Sequence, residues 1–207
     1  MMQASLVFVL LAPSCSRTAR EDSTPQPQLV AESAHEILLP RAGGGELQPL
    51  TRSGKPTRVV LFLATDCPIA NGYAPEIARI AAAYRDRIGP MIFVHVDPDV
   101  DRAQVLQHAK DYGLDGELVL DREQIFARAL GATVTPEVVV LRRQGQGWMI
   151  SYRGRIDDIY VDFGKKRVRA SRLDLRLQLD RALRAEGEPL LLQTTKAIGC
   201  PMPKPGS

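Results

Sequence analysis

The chain has 207 residues, 44% of them hydrophobic and 25% charged, which suits one compact domain with terminal extensions. Its 27 basic and 24 acidic side chains give a net charge of only +3. This near-balance argues against a dedicated nucleic-acid binder, which concentrates basic residues on one face. The one basic cluster, at residues 164–169, is interpreted as a solvated loop or the start of a helix.

Residues 1–15 are typical of an export signal. An apolar run over residues 6–12 is too short to span a bilayer, and a Pro-Ser-Cys sequence ending at Cys15 follows it. This order resembles a bacterial lipoprotein signal, whose cysteine is lipidated after cleavage. We predict export and keep two alternatives for Cys15: lipid attachment, or an incidental cysteine near the cleavage site. Export would expose the thiols to an oxidising compartment.

Three further segments follow the signal. Residues 16–45 are polar and rich in Pro and Gly, a composition that cannot bury a core, and they predict a flexible linker. Residues 46–187 contain alternating strand and helix signals and predict the folded domain. Residues 188–207 form a C-terminal tail that carries Cys200.

Within the domain, strand signals are short apolar runs, and helix signals place apolar residues at helical spacing. The strands are predicted at residues 59–64, 91–96, 118–120, 137–141 and 147–152. The helices are predicted at residues 74–87, 103–112, 122–130 and 173–185. Alternation followed by a closing hairpin predicts an α/β fold, with a mixed central sheet flanked by helices.

The turn after the first predicted strand contains the best candidate for a reactive residue. Residues 62–77, with Cys67 followed by Pro68, resemble the active-site turn of redoxin-domain proteins. This group of the thioredoxin superfamily spans peroxiredoxin-like proteins and membrane-tethered thiol–disulfide oxidoreductases. Thr135 and Pro136 resemble the turn at which the family has a cis proline, and the resemblance implies that they present backbone to a substrate chain.

Two further segments resemble one exported bacterial subgroup of these proteins. Residues 152–158 resemble a loop of that subgroup, and Gly199-Cys200-Pro201 resembles its C-terminal cysteine. The resemblance implies a thioredoxin-like fold with one extra β-α unit inserted before the C-terminal hairpin.

The position of Cys67 also favours reactivity on physical grounds. It follows a buried strand and opens a helix, so unpaired backbone N–H groups and the helix dipole should favour its thiolate. Pro68 suits the first helical turn because it has no N–H to leave unpaired. Thr65 offers a hydroxyl donor. The alternative is a buried, inert cysteine.

The residues near Cys67 in the sequence narrow the range of reactions that it could catalyse. A two-cysteine exchange motif needs a cysteine three residues on, where Ala70 stands, and a copper-carrying relative uses one where Asn71 stands. Peroxiredoxins have Pro seven residues before the reactive cysteine and Thr or Ser three before it, positions that hold Val60 and Ala64 here. These departures argue against efficient peroxidase activity.

Cys200 is the candidate partner of Cys67, and two roles stay open. It could resolve an oxidised or mixed-disulfide form of Cys67. Alternatively, a permanent disulfide could staple the fold, which in the chain-entropy model contributes about 4–5 kcal/mol for so long a loop. Arg153 and Arg155 are candidate cations near the thiolate; the alternative is an ordinary surface loop.

The sequence therefore predicts an exported thiol–disulfide oxidoreductase with Cys67 as nucleophile and Cys200 as resolving cysteine. The alternatives are a thiol peroxidase and a non-catalytic, disulfide-stapled domain. The chemistry needs no organic cofactor, and His95 and His108 are interpreted as structural rather than as metal ligands. The expected partners are a thiol, disulfide or peroxide substrate and an external reductant. No binding to nucleic acid is expected. Attachment to a membrane is expected only if Cys15 carries a lipid anchor.

Overall fold

The structure is a computed structural model that describes residues 27–51, 54–184 and 191–204. The predicted export signal with Cys15, and the first part of the predicted linker, lie outside the described residues.

Helices and strands alternate along most of the described chain. The helices are α1 (Pro68–Tyr84), α2 (Arg102–Tyr112), α3 (Ile125–Leu130) and α4 (Asp174–Arg184). The first six strands are β1 (Gln28–Leu29), β2 (Leu39–Pro40), β3 (Glu46–Leu47), β4 (Thr57–Leu63), β5 (Ile92–His95) and β6 (Glu117–Leu120). The later strands are β7 (Val134–Thr135), β8 (Glu137–Gln144), β9 (Gly147–Gly154), β10 (Tyr160–Asp162), β11 (Lys165–Lys166), β12 (Gln193–Thr194) and β13 (Cys200–Pro201).

The central sheet has the strand order β1-β9-β8-β4-β5-β6, and β12 also pairs with β9. Strands β4, β5 and β6 are parallel, as expected for strands joined by crossover helices. Strands β8 and β9 form an antiparallel hairpin, and β8 runs antiparallel to β4. The mixed sheet, its flanking helices and the extra β6–α3 unit before the hairpin agree with the predicted order of elements.

Strand β4 lies at the centre of the sheet and separates two apolar cores. Because side chains alternate along a strand, Val59, Leu61 and Leu63 face one core, while Val60 and Phe62 face the other. The first core contains Cys67 and is covered by α1 and α4. The second is covered by α3 and the N-terminal segment. Each large side chain buried in this way contributes about 1.5–3 kcal/mol.

The only tryptophan of the chain lies in the second core, on the side of the sheet opposite Cys67. Trp148 is fully buried, and its indole N–H donates to the Leu50 carbonyl oxygen at 2.9 Å. The Arg58 guanidinium lies over the ring, 4.9 Å from its centroid.

The prediction of a flexible linker is wrong for residues 27–45. Strand β1 pairs with β9, and β2 and β3 form a small hairpin. Val30, Ala34 and Leu39 are buried against the second core. The prediction relied on the average composition of the segment, which is polar. A few well-spaced apolar side chains nevertheless suffice to hold the segment against the sheet.

Two helices begin three or more residues away from their predicted first residues. Helix α1 begins at Pro68 instead of residue 74, and its first turns are buried through Ile69 and Tyr73. Gly72 and Pro75, which are unfavourable inside a helix, weaken the helical signal of these turns in the sequence. Helix α3 begins only at Ile125, after Gln124 adopts a left-handed conformation with φ of 53°. The basic cluster lies on the exposed β10–β11 hairpin and the residues that follow it. No helix within the described ranges is both long and apolar enough to cross a bilayer.

Candidate functional site

Cys67 lies where β4 gives way to α1. It is the N-cap residue of α1, with φ of −77° and ψ of 110°, and Pro68 occupies the first helical turn. Its side chain is only 1% exposed. The strand-turn-helix setting expected from the sequence is therefore present, but the sulfur is covered.

The surroundings of the Cys67 sulfur differ from the expectation in one respect. The sulfur makes no capping hydrogen bond with the first amides of α1. It turns instead toward β7 and the tail, where the thiol donates to the Thr135 carbonyl oxygen at 3.0 Å. The Cys200 sulfur lies 2.6 Å from the Cys67 sulfur, and both cysteines are free thiols. The expected amide donors are thus replaced by a carbonyl and a second thiol.

The C-terminal tail reaches the site by pairing with two strands. Strand β12 runs parallel to β9, and Thr195 continues this contact by donating its N–H to the Arg153 carbonyl oxygen at 3.1 Å. Strand β13 then pairs antiparallel with β7, placing Cys200 opposite Thr135. The peptide bond from Thr135 to Pro136 is cis. The backbone that the resemblance assigns to substrate is occupied by the protein's own tail.

Gly199 allows this close approach. A Cβ atom at Gly199 would overlap the carbonyl group of Thr135 and crowd the nitrogen of Pro136. These are backbone atoms and cannot move aside as a flexible side chain would. The glycine is thus required for the tail to lie against β7 in this way.

The Cys200 thiol resists ionisation in this arrangement. Burial is the main cause, and the hydrogen bond and charge interaction with Cys67 add to it, raising the pKa of Cys200 to about 12. Exposed Asp66 adds a smaller contribution of the same sign. Cys200 therefore holds its proton near neutral pH while the tail is docked in this arrangement.

Thr65 does not serve the Cys67 sulfur as expected. Its hydroxyl donates to a carboxylate oxygen of Asp97 at 3.3 Å, and its backbone N–H donates to the same oxygen at 2.9 Å. Burial raises the pKa of Asp97, although these two hydrogen bonds oppose the shift. Thr65 thus ties the turn before Cys67 to the end of β5.

The two arginines also find partners away from the thiol. Arg155 forms an ion pair of 2.7 Å with buried Asp174, at the start of α4, and not with Asp157 or Asp158. The sequence did not indicate this partner because α4 approaches only in the folded chain.

Arg153 donates to the Leu130 carbonyl oxygen at 3.2 Å and lines a cleft of about 450 Å³ beside the tail. The other residues that line this cleft are Gly131, Thr133, Val134, Glu137, Thr194, Thr195, Lys196 and Ala197. Of the two interpretations of Arg153 and Arg155, cations that stabilise the thiolate directly and an ordinary loop, these partners contradict the first.

The adjacent carboxylates of Asp157 and Asp158 have structural partners. Asp157 accepts a hydrogen bond from the Tyr73 hydroxyl at 2.9 Å. Asp158 accepts from the N–H groups of Ser171 and Arg172, and these bonds, with the Ser171 hydroxyl foremost, lower its pKa. Among the residues that the structure describes, no group of three His, Cys, Asp or Glu side chains is arranged to hold a metal ion.

Cys67 is backed by a buried chain of polar side chains that is not predicted from the sequence. His95 Nε2 lies 3.1 Å from His108 Nδ1, and His108 Nε2 lies 2.8 Å from Asn71 Oδ1. Asn71 Nδ2 donates to the Thr65 carbonyl oxygen at 3.0 Å. A histidine ending an apolar strand and an asparagine one turn after Cys67 were the signals available in the sequence. Their pairing became visible only in the fold.

Acid is expected to destabilise the protein through His95. Burial, and then His108, lower the pKa of His95 from 6.5 to about 3, although the carbonyls of Val119 and Phe93 partly oppose this. The unfolded chain binds a proton near pH 6.5 and the folded chain only near pH 3, so the contribution of His95 is complete above pH 6.5 and falls as pH falls. At pH 5 the loss is about 2 kcal/mol.

Urea unfolding at pH 7.5 and pH 5 would measure this loss. The His95→Leu variant lacks the titrating group and should lose about 2 kcal/mol less than the wild type between the two pH values. Equal losses in the two proteins would contradict the assignment.

No protein-family model and no curated protein sequence matches the chain. Solved structures do resemble it. A hypothetical protein from Sinorhizobium meliloti 1021 has a TM-score of 0.68 at 22% identity, covering 90% of this chain and 98% of its own. An uncharacterized conserved protein from Geobacillus kaustophilus has a TM-score of 0.67 at 20% identity, covering 88% and 91%.

A secreted Mycobacterium tuberculosis disulfide oxidoreductase homologous to E. coli DsbE is also similar. It has a TM-score of 0.51 at 16% identity, covering 73% of this chain and 99% of its own. These likenesses establish the fold as thioredoxin-like, which confirms the fold predicted from the sequence. At such low identities they establish nothing further about activity.

Proposed function

We propose that the protein is a thiol–disulfide oxidoreductase in which Cys67 is the nucleophile and Cys200 the resolving cysteine. The observation that carries this proposal is the 2.6 Å separation of the two sulfurs. The two sulfurs are close enough to form a disulfide with little movement of the chain. The similarity in fold to a secreted disulfide oxidoreductase adds support.

The proposed reaction has two exchange steps. The Cys67 thiolate attacks one sulfur of a substrate disulfide; the substrate S–S bond breaks, and its second sulfur leaves and takes up a proton. Cys200 then loses its proton to solvent and attacks Cys67 in the mixed disulfide, and the substrate's first sulfur leaves as a thiol. Two electrons pass from the cysteine pair to the substrate. An external dithiol, by two similar exchanges, returns them and restores both thiols.

The high pKa of Cys200 favours attack by Cys67 before attack by Cys200. While Cys67 is a thiol or thiolate, it helps to keep Cys200 protonated. In the mixed disulfide Cys67 carries no charge, and in the proposed cycle the tail that buries Cys200 has been displaced. Burial, the main cause of the raised pKa of Cys200, and the interaction with Cys67 are then both relieved, so Cys200 ionises more easily. The resolving thiol thus becomes a better nucleophile only after the first step is complete.

The tail must move for the first step to begin. Cys67 is 1% exposed, and β13 occupies the β7 edge beside the cis peptide bond. In the proposed cycle, a substrate chain displaces β13 and pairs with the backbone at Thr135 and Pro136. The tail then returns with Cys200 to complete the second step.

The two alternatives make different demands on the site. A peroxidase needs groups that hold a peroxide at the thiolate, and the Thr65 hydroxyl and both candidate arginines have other partners. A stapled, non-catalytic domain needs only that the two sulfurs bond and stay bonded. The reduction potential distinguishes the staple from the oxidoreductase.

The reduction potential of the Cys67–Cys200 pair is expected to lie in the range of exchange proteins, about −120 to −270 mV. Equilibration in graded dithiothreitol or glutathione buffers, followed by thiol counting, measures it. A potential below about −300 mV would support a permanent structural disulfide and contradict the oxidoreductase proposal. Peroxide consumption by the wild type but not by Cys67→Ser would favour the peroxidase.

We further propose that the protein is exported. An apolar N-terminal run that ends near Cys15 is the supporting sequence feature. The proposed partners are a disulfide-bearing substrate and an external dithiol reductant, and a lipid at Cys15 would anchor the protein to a membrane. Mass spectrometry of the mature protein, isolated from the cell envelope, would detect that lipid.

A further inference from the structure

We propose that Asn71 and His108 are positioning residues that hold the turn carrying Cys67 in register with Cys200. This inference deepens the proposed function and rests on it. It starts from hydrogen bonds that link α1, α2, β5 and the turn before Cys67 through one continuous chain of polar groups.

The Thr65 carbonyl oxygen sets the direction of this chain. A carbonyl oxygen can only accept, so the Asn71 atom 3.0 Å away is the amide nitrogen, and Asn71 Oδ1 faces His108. His108 Nε2 must therefore carry the proton, which leaves Nδ1 as an acceptor. His95 Nε2–H donates to that nitrogen, and His95 Nδ1 is left without a hydrogen-bond partner. Each polar atom between the His95 ring and the Thr65 carbonyl is thus assigned as either a hydrogen-bond donor or an acceptor.

Asn71 closes the turn that contains Cys67. Its backbone N–H donates to the Cys67 carbonyl oxygen at 3.0 Å, and its side chain reaches back to Thr65 on the other side of the cysteine. Both ends of the turn are thus bound by one residue. Without the bond from His108, the Asn71 carboxamide would be free to rotate away from Thr65.

His108 is in turn held by its surroundings on α2 and β5. Its ring packs edge-on against His95 and lies 4.9 Å from the ring of Tyr112. Burial lowers the pKa of His108, and the charge of Asp111 partly opposes this. A lowered pKa favours the neutral form of His108, in which Nε2 donates to Asn71 and Nδ1 can accept from His95.

The expected consequence is an effect on disulfide formation and not merely on stability. A change that destabilises the reduced and oxidised proteins equally leaves their equilibrium unaltered. Loosening the turn in the reduced protein lowers the effective concentration of Cys67 at Cys200 and so disfavours the disulfide. The equilibrium with glutathione, in which the dithiol and oxidised glutathione give the disulfide and two reduced glutathiones, reports this difference directly.

The test compares two replacements of the same side chain. His108→Leu removes the donor to Asn71 and is expected to lower the equilibrium constant for disulfide formation about tenfold, which corresponds to about 30 mV. His108→Gln keeps an amide N–H donor and is expected to recover at least half of that shift. Gln107→Leu, which removes an exposed contact to Asp111 on the same helix, is the matched control and should cause no shift.

An unchanged constant in folded His108→Leu would overturn the proposal, as would equal shifts in the leucine and glutamine variants. If His108→Leu does not fold, Asn71→Leu removes the same link and carries the same expectation. These outcomes are shifts relative to wild type. They are therefore separate from the absolute potential that tests the proposed function.

Discussion

Cys67→Ser is expected to abolish disulfide reduction, whereas Cys200→Ser is expected to stop the cycle after its first step. Serine at position 67 cannot form the mixed disulfide, so turnover should fall at least a thousandfold, to the uncatalysed rate. With Cys67 intact and Cys200 replaced, the substrate should remain covalently bound to Cys67. Turnover with a small disulfide substrate, and mass spectrometry of the product under acid quench, measure the two effects.

Cys15→Ser provides the matched control, because it removes the third cysteine of the chain and leaves Cys67 and Cys200 unchanged. It should keep full turnover. If Cys200→Ser accumulated no mixed disulfide yet turned over at the wild-type rate, Cys200 would have no resolving role. Turnover above the uncatalysed rate in Cys67→Ser would show that the nucleophile is not at the start of α1.

Gly199→Ala is expected to release the tail from β7 and uncover Cys67. The added Cβ meets the backbone of Thr135 and Pro136, so β13 must shift as a whole. We expect iodoacetamide to modify Cys67 at least ten times faster, corresponding to about 1.4 kcal/mol of lost tail docking. Measurement in a background with Cys15 and Cys200 replaced by serine confines the modification to Cys67.

Gly147→Ala is the control for this effect. Gly147 begins β9, and a Cβ there meets nothing within 4 Å. It should leave the modification rate of Cys67 unchanged. If Gly199→Ala did the same, the tail would not be the cover over Cys67, and substrate would have to reach the thiol by another path.

The central sheet could be predicted from the sequence because its strands are buried on both faces. Runs such as residues 59–63 are continuously apolar and short, which is typical of central strands. The segment at residues 27–45 was misjudged because its few apolar side chains are spread among polar ones. Their effect depends on a sheet edge and core that exist only after the rest of the chain has folded.

The site was predictable in part for the same reason. The setting of Cys67 is local, since a strand, a proline and a helix follow one another in the sequence. Its contact with Cys200 spans 133 residues and depends on β13 pairing with β7. The partners of Arg155 and His108 are also distant in sequence. From the sequence, the arginines therefore remained candidate cations or part of a surface loop, and the histidines were interpreted as separate structural residues.

The position of Trp148 gives the protein a built-in fluorescent probe. A buried indole changes its emission when the core opens. Trp148 lies across the sheet from the two sulfurs, in a different core. Its signal should therefore follow global unfolding while remaining largely insensitive to thiol oxidation or tail release. Emission and thiol labelling, recorded on the same sample, would then separate loss of the fold from opening of the site.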